Sequence, residues 1–209
     1  MTINVVVDIS HHNGNPDLAK AADAGIVGVI HKATQGQTMV DKKYVTNRDY
    51  AVAAGLLWGA YHFGTSGDGV AQADHFLDTV EPDEQTLLVL DYEANGNSTM
   101  TFTQARAFVI RINEVIGRFP GLYSGSLIKQ KLGSTPVDSI FSKCFLWIAQ
   151  YGPKPTGIPP TWPTWTLWQY TDGVVGPQPR SVDGIGPCDR DRFNGPMEGL
   201  LRLWGVEQD

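Results

Sequence analysis

Short apolar runs that break off at polar or charged side chains recur along the first half of this chain, and the stretches between them place apolar residues three and four apart. Val5-Val6-Val7 ends at Asp8, and Val27 to Ile30 ends at His31-Lys32-Ala33-Thr34. Leu56 to Phe63 carries Tyr61 and His62 near its end, and Leu87 to Leu90 stops at Asp91-Tyr92-Glu93. Runs of this length predict buried strands. The first intervening helix is expected to be capped by Asn15 with Pro16 in its first turn, carried by Leu18, Ala21 and Ala22, and stopped at Gly25. A second covers 44–54, and a third places Val70, Ala73, Phe76, Leu77 and Val80 on one face. Thr101 and Gln104 form a capping box for a fourth, in which Ala105, Phe108, Val109, Ile112 and Ile116 recur at helical spacing before Gly117.

After Gly117 the rhythm weakens. Gly121 to Ser124, Phe145 to Ala149, Thr166 to Tyr170 and Asp189 to Phe193 read as strands. A helical turn or two is expected over 127–132, a proline-rich loop over 153–163, and a C-terminal helix over 197–204. Five strand-helix alternations followed by strands with little helix between them predict an α/β fold, a TIM-like barrel of about eight mostly parallel strands. The competing architecture is an open doubly wound sheet, for which neither a dinucleotide-binding glycine motif nor a phosphate loop is present.

Composition narrows the picture further. The chain has 209 residues, 42% hydrophobic and 18% charged, which suits one domain spanning 1–209 around a single sizeable core. A formal net charge of −6 argues against a nucleic-acid partner and against a basic patch for anionic membranes. Cys144 and Cys188 are compatible with a disulfide or with two reduced thiols. Met1 to Asn4 leads straight into Val5 without the pattern of a secretory signal, and no run approaches the ~18 apolar residues of a membrane span. The expectation is cytoplasmic synthesis with release by another route, or secretion after removal of a leader.

In a parallel barrel the strand C-termini open onto one face, where active sites lie. That places Asp8, Lys32, His62, Asp91, Glu93, Tyr123, Gln150 and Tyr170 on or beside one rim. Asp91 and Glu93, two apart at a strand end, share a face. A lone D-x-E is also what a strand end emerging into solvent looks like, so the convergence of the other residues carries the functional reading.

These residues resemble the Chalaropsis-type lysozymes, glycoside hydrolase family 25, over nearly the whole chain. The matching pieces are Val7-Asp8-Ile9-Ser10, Ala24-Gly25-Ile26 before Lys32-Ala33-Thr34, Gly59-Ala60-Tyr61-His62-Phe63, and Leu90-Asp91-Tyr92-Glu93. Leu146-Trp147-Ile148-Ala149 with Tyr151, Trp168-Gln169-Tyr170, and Asp189-Arg190-Asp191-Arg192-Phe193 with Gly195 complete the series in order. The resemblance implies an irregular barrel of eight strands and about five helices. It implies hydrolysis of the β-1,4 bond between N-acetylmuramic acid and N-acetylglucosamine in bacterial peptidoglycan, by a monomer with no metal or other cofactor.

By the same resemblance Glu93 is the general acid, and Asp91 stabilises the substrate's own 2-acetamido group as it attacks the anomeric carbon. Asp91 is also expected to keep Glu93 protonated, since like charges in one pocket resist joint ionisation. An inverting water attack and a protein nucleophile stay open. Asp8 and Asp189 complete an acidic floor, with Asp191 the alternative to Asp189 on the same strand face. Tyr61, His62, Tyr123, Trp147, Gln169, Tyr170 and Asp191 are the expected saccharide contacts. His11-His12-Asn13 stands where relatives often carry an aromatic and a glutamine, and Gln35 where an acid is frequent. Two other functions compete: a hydrolase with His11, His12, His62, Asp8, Asp91 and Glu93 around a divalent ion, and a glycan-binding module without turnover.

Overall fold

The computed structural model describes residues 1–206. Eight strands form the barrel: β1 (Ile3–Ile9), β2 (Gly28–Gln35), β3 (Leu57–Phe63), β4 (Leu87–Asp91), β5 (Gly121–Ser124), β6 (Leu146–Ala149), β7 (Leu167–Thr171) and β8 (Asp189–Phe193). Each pairs with the next, and β1 pairs with both β2 and β8, so the sheet closes and the doubly wound alternative falls. Six α-helices accompany it, in keeping with the about five implied by resemblance: α1 (Leu18–Asp23), α2 (Tyr44–Ala53), α3 (Gly69–Val80), α4 (Phe102–Ile116), α5 (Ser126–Leu132) and α6 (Met197–Leu203).

β1 to β7 are parallel, whereas β8 runs antiparallel to both its neighbours. No helix separates Thr171 from Asp189, so the chain returns through a loop and a short hairpin, Ser181–Val182 with Gly186–Pro187. Without a crossover the next strand enters from the rim it has just left. The reversal brings the first residue of β8, Asp189, to the rim where the other strands end.

Strand alternation divides the apolar residues into two cores. Outward side chains such as Val7, Ile9, Val29, Leu88 and Leu90 pack under α1 to α5. Inward ones, Val6, Ile30, Leu87, Val89, Leu167 and Phe193, fill the lower interior, which Leu200 and Trp204 of the C-terminal segment plug. Small residues make room there: a Cβ on Gly28 would sit 3.3 Å from the Trp204 ring, and one on Gly121 would overlap Phe145.

The helix signals held where local chemistry decides. Thr101 and Gln104 form the reciprocal capping box, with Gln104 N–H to Thr101 Oγ1 at 3.3 Å and Thr101 N–H to Gln104 Oε1 at 2.8 Å. Gly117 closes α4 at φ 75°. The start of α1 differs from expectation. Asp17, not Asn15, is the cap, accepting the Lys20 N–H, while Asn15 accepts from the Lys43 ammonium instead. Val70, expected on the buried face of α3, is 40% exposed because it lies in the first turn, where Asp68 caps the helix. Cys144 and Cys188 are separate buried thiols, both pushed up to about 12 by burial.

Candidate active site

The inward face changes character at the rim. A cleft of about 280 Å³ opens there, lined by Asp8, Ser10 and His12 from β1 and beyond, Lys32 from β2, Tyr61 and Phe63 from β3, and Asp91 and Glu93 at β4. Tyr123, Trp147, Tyr151, Gln169 and Asp189 close the other side. Most of these positions step by two along their strands, as inward-facing residues must.

β4 ends at Asp91, and the Tyr92 N–H still bonds to the Tyr123 carbonyl at 2.9 Å, so the alternation carries on to Glu93. Tyr92 is thereby sealed in the outer core, and the two acids face the cleft. Their environments differ. Asp91 is only 5% exposed and its Oδ1 has no hydrogen-bond donor. Burial first and the Glu93 charge second hold its carboxyl well above the usual range, while Lys32 pulls it back. Glu93 is raised by burial, with more of it in solvent. The two acids thus differ in depth, Asp91 lying the deeper, and burial holds both carboxyls above the usual range.

On the opposite wall a hydrogen-bond chain fixes Asp8. Tyr123 and Tyr151 hydroxyls donate to Gln169 Oε1 at 2.9 and 3.1 Å, which turns the amide nitrogen toward Asp8 Oδ2 at 2.8 Å. Asp189, opposite Asp8 in the strand register, has its carboxyl raised to about 6 by burial and by Asp172. Lys32 donates to Gln35 Oε1 at 2.6 Å and lies 4.8 Å from the Phe63 ring centroid. Gln35, noted for its missing charge, thus holds the cleft's lysine in place.

Of the residues expected from sequence, Glu93, Asp91, Asp8, Asp189, Tyr61, Tyr123, Trp147 and Gln169 do meet in the cleft. Three expected saccharide contacts do not. His62 points outward, stacks on Phe108 at 4.9 Å and is fully buried. Its Nε2–H donates to Gln72 Oε1 at 3.1 Å, and its Nδ1 is hydrogen-bonded to the Thr34 hydroxyl at 2.7 Å. Burial takes its pKa down to about 4. Tyr170 also faces outward, donating to the Pro179 carbonyl at 2.8 Å and accepting from Asn4 at 2.9 Å. Asp191 points inward but lies beneath the floor, with no exposed surface, bonded to the Trp147 indole N–H at 2.7 Å. Gln150, placed on the rim from sequence, instead accepts from Lys129 and from the Thr156 N–H.

Adjacent strand residues cannot both face the interior, so naming Tyr61 with His62 and Gln169 with Tyr170 put one of each pair on the wrong side. The same rule finds the residues that sequence reasoning missed. Ser10 and His12 follow Asp8 by two and four, Phe63 follows Tyr61, and Tyr151 follows Trp147 by four.

Of the six side chains considered for a divalent ion, Asp8, His12, Asp91 and Glu93 line the cleft, while His11 and His62 do not. His11 is bonded through Nδ1 to the buried Asp41 at 2.7 Å, His12 packs at a tilt against His11 with ring centroids 4.0 Å apart, and His62 is behind the barrel wall. Among the described residues no group of three or more His, Cys, Asp or Glu side chains is placed to hold a metal ion.

Comparison with known proteins agrees with this arrangement. The model of the glycosyl hydrolases family 25 matches residues 7–178. A bacterial lysozyme from Streptomyces coelicolor superposes with a TM-score of 0.82 at 33% identity, covering 96% of this chain and 97% of that one. Lysozyme M1 of Streptomyces globisporus is 31% identical across 94% of this chain and 70% of its own length. An N,O-diacetylmuramidase from Chalaropsis is 29% identical across 80% of this chain and 88% of its own. With a closed barrel, a carboxylate-lined cleft at its rim and these relatives, the chain belongs to glycosyl hydrolases family 25 and is a glycoside hydrolase of the lysozyme type.

Proposed function

We propose that the protein cleaves the β-1,4 bond between N-acetylmuramic acid and N-acetylglucosamine in bacterial peptidoglycan, with Glu93 as general acid and Asp91 supporting attack by the substrate's 2-acetamido group. The observation that carries this reading is the unequal pair at the end of β4. Asp91 Oδ1 is buried without a donor. An unserved buried acceptor costs free energy until a donor reaches it. The N–H of a 2-acetamido group is such a donor, and its hydrogen bond favours the Asp91 carboxylate, as the Lys32 charge already does. Two like charges cannot both persist there, so the proton then resides on Glu93, the more exposed carboxyl, which can reach the glycosidic oxygen. Substrate binding in this way sets the acid and the anion in their roles.

Tyr61, Tyr123 and Trp147 offer aromatic faces to the pyranose rings. Asp8 and Asp189 accept from sugar hydroxyls across the cleft. The substrate places the working enzyme at the cell wall, reached after synthesis in the cytoplasm or by secretion; no helix among the described residues is long and apolar enough to cross a membrane. The test is mass spectrometry of digested, purified peptidoglycan. The reading requires N-acetylmuramic acid at the new reducing ends. N-acetylglucosamine there would reassign the protein as a glucosaminidase.

A further inference from the structure

Asp191 is an acid of the upper interior that does not line the cleft. Its Oδ1 accepts the Trp147 indole N–H at 2.7 Å, and its Oδ2 is buried without a donor. In the register of β1 with β8, Val6 lies opposite Asp191 and Asp8 opposite Asp189, so Asp8 and Asp191 are diagonal neighbours on the inward face. Diagonal side chains are within reach of each other, and each of these two carboxyl groups bears on the proton affinity of the other. Asp8 Oδ2 is occupied by the Gln169 amide. Each acid thus has one oxygen served by a neutral donor, and neither takes part in an ion pair among the described residues.

Among the described residues, the groups around them bring no cation into an ion pair with either acid, and the Arg190 charge only partly offsets the burial of Asp191. β8 brings Asp189, while the Arg190 guanidinium turns outward to the Ser181 carbonyl and Asn4. β3 brings Tyr61, β5 Tyr123, the segment after β6 Tyr151, and the residue before β8 the Cys188 thiol, each sensing the Asp8 charge. β6 and β7 contribute the uncharged Trp147 and Gln169, and Lys32 of β2 is turned to Gln35. Two neighbouring buried carboxylates repel unless they share a proton. Burial, which opposes charge on both, acts in the same direction.

We propose that Asp8 and Asp191 hold a single proton between them, and that Asp191 is a positioning residue that keeps the pair's negative charge beneath the floor, away from the sugar. Asp8 then meets the substrate as a hydrogen-bonding carboxyl of fixed orientation instead of a free anion. Asp191→Asn should undo this: the amide N–H donates to Asp8, the shared proton is lost, and the full charge moves onto Asp8, nearer Glu93. A negative charge brought closer raises the pKa of a neighbouring acid.

The test is a pH titration of the full chain carrying ¹³C-labelled aspartate carboxyls, read by NMR, with kcat/KM profiles on peptidoglycan in parallel. In the wild type one carboxyl of the pair should remain in the protonated position through neutral pH. In Asp191→Asn the Asp8 resonance should move to the ionised position, and the alkaline limb of kcat/KM should shift upward by about half a unit or more. Two ionised carboxylates in the wild type at neutral pH would overturn the proposal, as would a protonated Asp8 in the variant. Should the variant fail to fold, the wild-type titration decides alone. The NMR readout counts protons and not turnover, so it stands independently of the role given to Glu93, on which only the expected shift of the profile rests.

Discussion

The lower and upper halves of the barrel interior are built by the same strands and obey opposite rules. Below, Val6, Ile30, Val89 and Leu167 interlock around the plug formed by Trp204. Two residues further along each strand stand Asp8, Lys32, Asp91 and Gln169. One step of the pleat separates close-packed hydrocarbon from a cluster of acids whose charges burial opposes. Stability is concentrated in the first half and chemistry in the second, and the first carries the cost of the second.

Substitutions should separate the halves. Glu93→Gln is expected to lower kcat by on the order of 10²–10⁴-fold while leaving the melting temperature equal or higher, checked by reducing-end release and calorimetry. Turnover at the wild-type rate would remove Glu93 from the role of acid. Asp91→Asn follows the same pattern, with a smaller loss of about 10²-fold and a gain in stability, because an unpaired buried carboxyl becomes a neutral amide. Trp204→Ala should do the reverse, costing ~3–5 kcal/mol in denaturant unfolding with the turnover of the folded fraction unchanged. A comparable loss of kcat in that variant would join the two halves into one cooperative unit.

Smaller effects sharpen the boundary. Tyr170→Phe, on the outer face, should cost about 1 kcal/mol through the lost hydrogen bonds to Pro179 and Asn4 and leave KM unchanged. A raised KM would return Tyr170 to the saccharide groove. The pH dependence of stability offers the finest test. Asp189 is raised to about 6, so the folded state binds its proton more tightly than the unfolded state does. Stability from this group is present below the ordinary aspartate range and lost as pH rises from there through about 6. His62, lowered to about 4, acts in the opposite sense, favouring the folded state as pH rises through the range between about 4 and its ordinary value. The quantity to compare is therefore the difference between wild type and Asp189→Asn. The variant should lose the part of the acid-side gain that Asp189 supplies, and an identical pH dependence in both would show that Asp189 titrates normally.

Much of this was legible in the sequence because it follows from periodicity. The apolar runs located the strands, the Thr101 and Gln104 pair located a helix start, and the polar residues at the ends of those runs located the rim. The errors arose where a strand's period of two was not enforced: His62 and Tyr170 are polar residues that find partners behind the barrel wall, in Gln72, Thr34, Asn4 and Pro179, all distant in sequence. The direction of β8 was hidden for a different reason, since antiparallel pairing comes from the missing crossover and leaves no mark within Asp189 to Phe193. The raised proton affinities of Asp91 and Glu93 come from depth of burial, moderated at Asp91 by Lys32, which no local pattern records.

The reversal of β8 also sets when the enzyme becomes an enzyme. Asp8 stands on the first strand of the barrel and Asp189 on the last, and the two face each other across the seam that closes it. A nascent chain that has already made β4 carries both Asp91 and Glu93 yet lacks a wall opposite them, and the Trp204 plug that fills the lower interior is still to come. Competence for hydrolysis therefore arrives only once β8 has been made, and a chain cut short before it has an acid pair but no opposite wall.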